Sequence, residues 1–247
     1  LTIAGLVALD KVYDGTTDAS LSREAAVATG VIDGDDISLV SATGFFADPN
    51  VGNAIAVTAD NINLDGADAG NYQMAPVTGL EADITPLTLE LVATAENKNY
   101  DGNTDATSLV TLDADNLKND DEVTFAYTAA FNDPTAGTGK YVGVEVSSIG
   151  GTEAGNYAIP GPNSFGDSTA TFADILPAPL TVNIIRTPSK TYDKETGVTL
   201  TTMAYEVVGL VGTESLTILQ SEGTFNSAEV LTADTITAAL ASDDFDP

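Results

Sequence analysis

The chain has 247 residues with 37 acidic against 8 basic, no histidine and no cysteine, and a formal net charge of −29. So few basic residues cannot neutralise a phosphate backbone or hold an anionic membrane surface, which argues against nucleic acid, and no window approaches the ~20 apolar residues of a membrane span, which argues against membrane insertion. Without His or Cys there is no Ser–His–Asp triad, no Cys–His pair and no usual zinc ligand, so most enzyme classes fall away.

In chain order, β-branched or alternating runs predict strands at 1–9, 37–46, 54–64, 123–131, 141–149 and 180–185. Asp-Gly pairs at 14–15, 33–34, 65–66 and 101–102 mark turns between them. The one helical expectation in the first segment is short, at 22–29.

The chain repeats itself, and repeats dictate architecture. Lys11-Val12-Tyr13-Asp14-Gly15 returns as Lys98-Asn99-Tyr100-Asp101-Gly102 and as Lys190-Thr191-Tyr192-Asp193-Lys194, at intervals of 87 and 92 residues. An acidic turn follows each time: Asp33-Gly34-Asp35-Asp36, then Asn119-Asp120-Asp121-Glu122, then Gly212-Thr213-Glu214. Phe46-Ala47-Asp48-Pro49 is matched by Phe131-Asn132-Asp133-Pro134, and the third copy keeps Phe225-Asn226. Ala69-Gly70-Asn71-Tyr72 is matched by Ala154-Gly155-Asn156-Tyr157, and the third copy has no such segment. The first two copies close on Ala82-Asp83-Ile84-Thr85-Pro86 and Ala173-Asp174-Ile175-Leu176-Pro177.

These matches divide the chain into 1–86, 87–179 and 180–247, the last truncated, and lead us to expect a piece of a longer protein. The charge spreads along all three, at −11, −11 and −7. Many short strands with frequent turns predict an all-β chain, a tandem array of small Ig-like β-sandwich domains; a grasp-like fold with one helix is the alternative. The proline-bearing joins restrict the backbone to extended geometry, so the array is expected to form an elongated, semi-rigid rod.

In the recurring phrase, Tyr13, Tyr100 and Tyr192 are expected as half-buried anchors. Asp14, Asp101 and Asp193 would hold turns through their own backbone, and Lys11, Lys98 and Lys190 would cover apolar surface with their stems. A sharper reading is a lysine–asparagine isopeptide bond, pairing Lys11 with Asn71 and Lys98 with Asn156. Calcium, a hard cation that takes several oxygen ligands, is a candidate cofactor. Its ligands would be Asp33, Asp35 and Asp36, or Asp120, Asp121 and Glu122, or the Asp65, Asp68 and Asn71 group, with Asp83 and Asp174 at the joins. The bland alternative is a solvated acidic surface.

The motifs Lys-x-Tyr-Asp-Gly, Gly-Asp-Asp-x-Ser, Phe-x-Asp-x-x-Val-Gly and Ala-Gly-Asn-Tyr, closed by an Ile-Thr-Pro strand, resemble the YDG-type repeat of large bacterial surface and secreted proteins, which is related to mostly-β, glycine-rich MBG-type repeats. The first two segments carry the whole pattern; the third replaces Gly15 and Gly102 by Lys194 and the acidic pair by Thr213-Glu214. The resemblance implies a non-enzymatic, extracellular, adhesin-like protein at the bacterial surface or secreted, with these repeats as stalk. Partners would be neighbouring repeats or other copies of the chain. A filament subunit built by β-strand complementation and a module binding cell-surface or matrix glycans are the alternatives.

Overall fold

A computed structural model of the chain describes residues 1–160, 171–186 and 188–247. The protein is all-β, 47% strand and 5% helical, with curled sheets. In chain order the strands of the first segment are β1 (Thr2–Ala4), β2 (Val7–Ala8), β3 (Lys11–Val12), β4 (Asp18–Ser22), β5 (Val27–Thr29), β6 (Ser38–Phe46), β7 (Gly52–Asp65) and β8 (Leu80–Thr85). The second segment contributes β9 (Leu87–Thr88), β10 (Leu91–Ala95), β11 (Lys98–Asn99), β12 (Val110–Ala114), β13 (Thr124–Phe131), β14 (Gly137–Gly150), β15 (Tyr157–Ala158) and β16 (Thr171–Leu176). The third contributes β17 (Thr181–Ile184), β18 (Gly197–Thr199), β19 (Tyr205–Val208), β20 (Thr217–Ile218), β21 (Glu222–Phe225), β22 (Ile236–Thr237) and β23 (Phe245–Asp246).

Two expectations are corrected. The run 1–9 is not one strand: Gly5 turns at φ +77, and a Cβ there would sit 2.0 Å from the Ala25 carbonyl oxygen, so the chain breaks into β1 and β2. The run 22–29 is not a helix. It turns at Arg23, whose carbonyl accepts from Ala26, and its β-branched end becomes β5, paired antiparallel to β1. The helical content lies in single 3-10 turns such as Ala69–Asn71 and Ala154–Asn156.

The chain divides into two compact units. The first comprises Leu1–Thr94, Val110–Ala129 and Gly143–Thr171. It holds a six-stranded sheet of order β2-β4-β6-β7-β8-β3. The long β6–β7 hairpin is its spine, with register shifts at Ser41 and Thr43. β3 returns to pair parallel with β8, Lys11 opposite Ile84, and β2 lies against β8, so the sheet curls on itself. One hydrophobic cluster runs from Tyr13, Phe46, Val57 and Ile84 to Leu89, Leu91, Val146 and Tyr157. It is continuous across the join at Pro86, so the two copies that meet there share a core within this unit.

The second unit comprises Ala95–Leu109, Ala130–Val142 and Phe172–Pro247. Here β11 pairs parallel with β16, Lys98 opposite Ile175, just as β3 pairs with β8. In the second copy as a whole the strand order β11-β16-β14-β13 repeats β3-β8-β7-β6. The third segment keeps β18-β21-β22, which follow the order β4-β6-β7, together with the pairs β17-β19 and β20-β23. Leu200 and Ile218 are fully buried beneath them.

Candidate functional site

Each Lys-x-Tyr-Asp phrase folds into the same lysine-locked loop. Asp14 Oδ1 accepts from the Thr16 N–H at 2.9 Å, Asp101 Oδ1 from Asn103 at 3.1 Å, and Asp193 Oδ1 from Glu195 at 2.9 Å. These are Asx turns, the local bonding that makes Asp a turn former. The lysine ammonium closes the loop from inside. Lys11 Nζ donates to Asp14 and to the Thr16 carbonyl, each at 2.7 Å. Lys98 Nζ reaches Asp101 at 2.8 Å and the Asn103 and Asp105 carbonyls. Lys190 Nζ reaches Asp193 at 2.8 Å and the carbonyls of Glu195 and Gly197. Lys11 and Lys98 also lie over the rings of Phe46 and Phe131, at 5.4 and 5.6 Å.

The fifth position of the loop is left-handed in all three copies: Gly15 at φ +78, Gly102 at +76 and Lys194 at +71. The third loop therefore keeps its shape without its glycine. The lysine holds Asp101 and Asp193 below the ordinary carboxylate value through its hydrogen bond. At Asp14 burial opposes the same shift, and the bonds from Lys11 and Thr16 outweigh it.

In the first two copies the tyrosine of the loop reaches the next copy's acidic turn. Tyr13 is only 4% exposed, and its hydroxyl donates to Asp121 Oδ2 at 2.8 Å. Tyr157 donates to the same oxygen at 2.7 Å and accepts from the Lys118 N–H at 2.9 Å. The two rings meet edge to face, with centroids 5.5 Å apart and planes at 78°. Burial, then the Asp121 carboxylate, pushes the Tyr13 hydroxyl well above its usual value. Burial raises Tyr157 to about 12, although the Lys118 N–H favours its ionised form.

Further bonds complete this joint. Asn119 Nδ2 donates to the Gly15 carbonyl at 2.7 Å. Asn156, itself buried, accepts from the Val51 N–H at 2.9 Å and donates to Asn50 Oδ1 at 2.8 Å.

The same clasp recurs in the second unit. Tyr100 donates to Glu214 Oε1 at 2.5 Å, and its hydroxyl is raised by that bond. Glu214 matches Asp121 by backbone as well: Glu214 N bonds to Val211 O as Asp121 N bonds to Lys118 O. The third segment has no Gly-Asn-Tyr, so no tyrosine accepts from Val211 N; Glu214 Oε2 does so instead, at 3.4 Å. Where Tyr157 fills the first joint, the second has an open cavity of about 330 Å³ bounded by Tyr100, Ala136, Leu180 and Glu214.

In the first segment the acid and the closing tyrosine stand in the same relation. Tyr72 donates to Asp35 Oδ2 at 2.6 Å and accepts from the Ile32 N–H at 2.8 Å.

The remaining acidic candidates have local tasks. Asp83 Oδ1 accepts from the N–H of Ala54, a bulge residue at φ +48, and Asp174 Oδ1 accepts from Gly139 at φ +58. The Asp36 N–H bonds Asp68 Oδ2, and Asp65 Oδ1 takes the Gly66 N–H. The carboxylates of Asp33, Asp36, Asp120 and Glu122 make no hydrogen bond among those described. Among the described residues no three Asp or Glu side chains gather as a metal site. No hydrogen bond joins Lys11 to Asn71, and the groups proposed for crosslinking are engaged elsewhere: Lys98 in its loop and Asn156 with Asn50 and Val51.

A family model described as the YDG domain matches three stretches of the chain, residues 1–79, 85–164 and 176–244. No curated protein matches the chain, and no solved structure does.

Proposed function

The chain belongs to the YDG domain family, and on that premise we propose that it is a non-enzymatic structural segment, the stalk of a bacterial extracellular adhesin or surface fibre. In this reading the three stretches are small β domains of a tandem array, extended as a rod. The observation that supports it is the pair of tyrosine–acid bonds, Tyr13 to Asp121 and Tyr100 to Glu214, which tie the loops of the first two copies to the next copy's acidic turn. A shared core and a fixed clasp resist hinging, which is what a load-bearing spacer requires. The dense acidic charge adds solubility and self-repulsion.

The acidic turns serve here as hydrogen-bond acceptors and solvated surface, not as calcium ligands. Thermal unfolding in calcium and in chelator should then give the same midpoint; a rise with calcium would return Asp33, Asp35, Asp36, Asp120, Asp121 and Glu122 to a metal role. Sedimentation velocity with small-angle scattering tests the stalk itself. A rigid, elongated monomer is expected, and a globular envelope or a segmentally flexible chain would defeat the reading.

A second reading has its own observation. Among the described residues the third segment has no strand beside β22, where β7 has β8 and where β8 in turn meets the Lys11 strand. An extended segment from another chain could pair there, which is the geometry of strand complementation and of a filament subunit. Filaments formed by the pure chain would favour it.

A further inference from the structure

Eight tyrosines are spread along the chain, and among the described residues two of their rings meet only at the first joint. Tyr13 of the first copy and Tyr157 of the second touch edge to face, with ring centroids 5.5 Å apart. Their hydroxyl ends converge on one atom, Asp121 Oδ2. A clasp does not require this. Tyr100 makes the same bond to Glu214, and Tyr72 to Asp35, each with no second tyrosine ring against it among the described residues. Nor is the pair open to a ligand, since Tyr13 is 4% and Tyr157 5% exposed.

Two phenols held in this way are set for one reaction. A tyrosine that loses an electron and its hydroxyl proton becomes a phenoxyl radical. Its unpaired electron is shared by the oxygen and the ring, including the two carbons that flank the hydroxyl-bearing one. Those carbons lie at the converging ends of the two rings. When both rings have been oxidised, one such carbon from each forms a carbon–carbon bond. Each bonded carbon then gives up its hydrogen as a proton to its own ring's oxygen, which restores the phenol. Two electrons and two protons leave in all, and a one-electron oxidant acting twice takes the electrons.

Asp121 supplies the path for the protons. Burial and the carboxylate keep the Tyr13 hydroxyl protonated far above neutral pH, and burial does the same for Tyr157. Each electron therefore leaves with a proton, and the acceptor already stands at 2.8 and 2.7 Å from the two hydroxyls. Asp121 is partly exposed and can hand the proton on to water. Electron loss needs no contact between ring and oxidant, so burial shields the radicals from other partners without preventing their formation.

We propose that Tyr13 and Tyr157 are a cross-linking site, at which a one-electron oxidant joins the two rings by a carbon–carbon bond and ties the first copy covalently to the second. With no cysteine in the chain, a disulfide cannot do this. The site depends on the joint alone and stands whether or not the chain is a stalk.

The test takes the full chain, at high dilution, with persulfate as the oxidant, activated by visible light on ruthenium tris-bipyridine. Each persulfate takes up two electrons and ends as two sulfates. The expected product is a monomer that has lost two hydrogen atoms by intact mass, shows dityrosine fluorescence, and on digestion gives peptides joined at Tyr13 and Tyr157. Fixed contact makes the coupling a unimolecular step, so unfolding the chain in urea should cut the yield roughly tenfold or more. Tyr13→Phe should abolish the link within the monomer, and Tyr72→Phe should leave it intact. Tyr141 and Tyr192, 43% and 50% exposed, report that the oxidant is active through the links they form between chains at high concentration. If those links appear and the folded monomer carries no bond between Tyr13 and Tyr157, or carries it in the same yield in urea, the proposal is overturned. None of these readouts depends on the shape of the chain, so scattering decides the stalk reading separately.

Discussion

Tyr13 and Asp121 are 108 positions apart in sequence, yet the tyrosine hydroxyl donates to the carboxylate at 2.8 Å. The same oxygen serves Tyr157. One carboxylate thus closes its own copy and binds the copy before it. Removing it should cost more than removing either donor.

Tyr13→Phe takes away one buried hydrogen bond to a charged acceptor and leaves the ring packed. A loss of about 1.5–3 kcal/mol is expected. Asp121→Ala leaves two buried hydroxyls without their acceptor and should cost roughly twice as much, the bonds being coupled through one atom. Urea unfolding of the full chain measures both. Equal losses would mean that the Tyr157 bond to Asp121 adds nothing and that Tyr13 carries the joint alone.

The clasp also sets an alkaline limit. A tyrosine ionises near 10 when unfolded. Folding holds Tyr157 neutral to about 12 and Tyr13 higher still. The native state therefore keeps protons that the unfolded chain has already lost, and stability contributed below pH 10 drains away as pH rises from 10 toward 12. Urea midpoints taken across that range should fall, and Tyr13→Phe with Tyr157→Phe should flatten the decline.

Lys194 occupies a left-handed turn at φ +71 where Gly15 and Gly102 stand in the other copies. A lysine there carries backbone strain of about 1–2 kcal/mol that a glycine lacks. Lys194→Gly gives part of this back to chain entropy, so a net gain of about 0.5–1 kcal/mol is expected. Thermal unfolding reads it, and a drop in midpoint would mean that the lysine side chain matters more than its backbone.

Lys98 donates to Asp101 and to the carbonyls of Asn103 and Asp105. Lys98→Met should cost about 2 kcal/mol, chiefly because those carbonyls lose their donor; the ion pair adds little, since Asp101 is half exposed. Asp101 and Asp193 are held below their unfolded value by lysine. Their stabilisation is present above about pH 4 and is lost as pH falls below that. The acid branch of the stability curve should be shallower in Lys98→Met.

Much of the fold was legible in residue order. β6 and β13 fall within a residue of the β-branched runs that announce them. Lys-x-Tyr-Asp reads as a turn because Asp bonds its own backbone two residues on. Gly5 was harder, since a single glycine in an apolar run breaks a strand only where another backbone comes close, here that of Ala25. The acidic turns were visible as charge and not as hydroxyl acceptors, because no local spacing links Asp121 to a tyrosine in the copy before it. One signal was available. The third copy loses its Gly-Asn-Tyr segment and also exchanges aspartate for Glu214, and the longer acid reaches both Tyr100 and the Val211 N–H.

The parallel pairing of Lys11 with Ile84 has a mechanical consequence. A pull on the two ends of the first copy drags its β3 and β8 strands past each other along their common axis. Their hydrogen bonds, with that of Tyr13 N to Thr85 O, are then loaded together in shear and not peeled one at a time. The lysine loop follows β3 directly, at one end of that sheared pair.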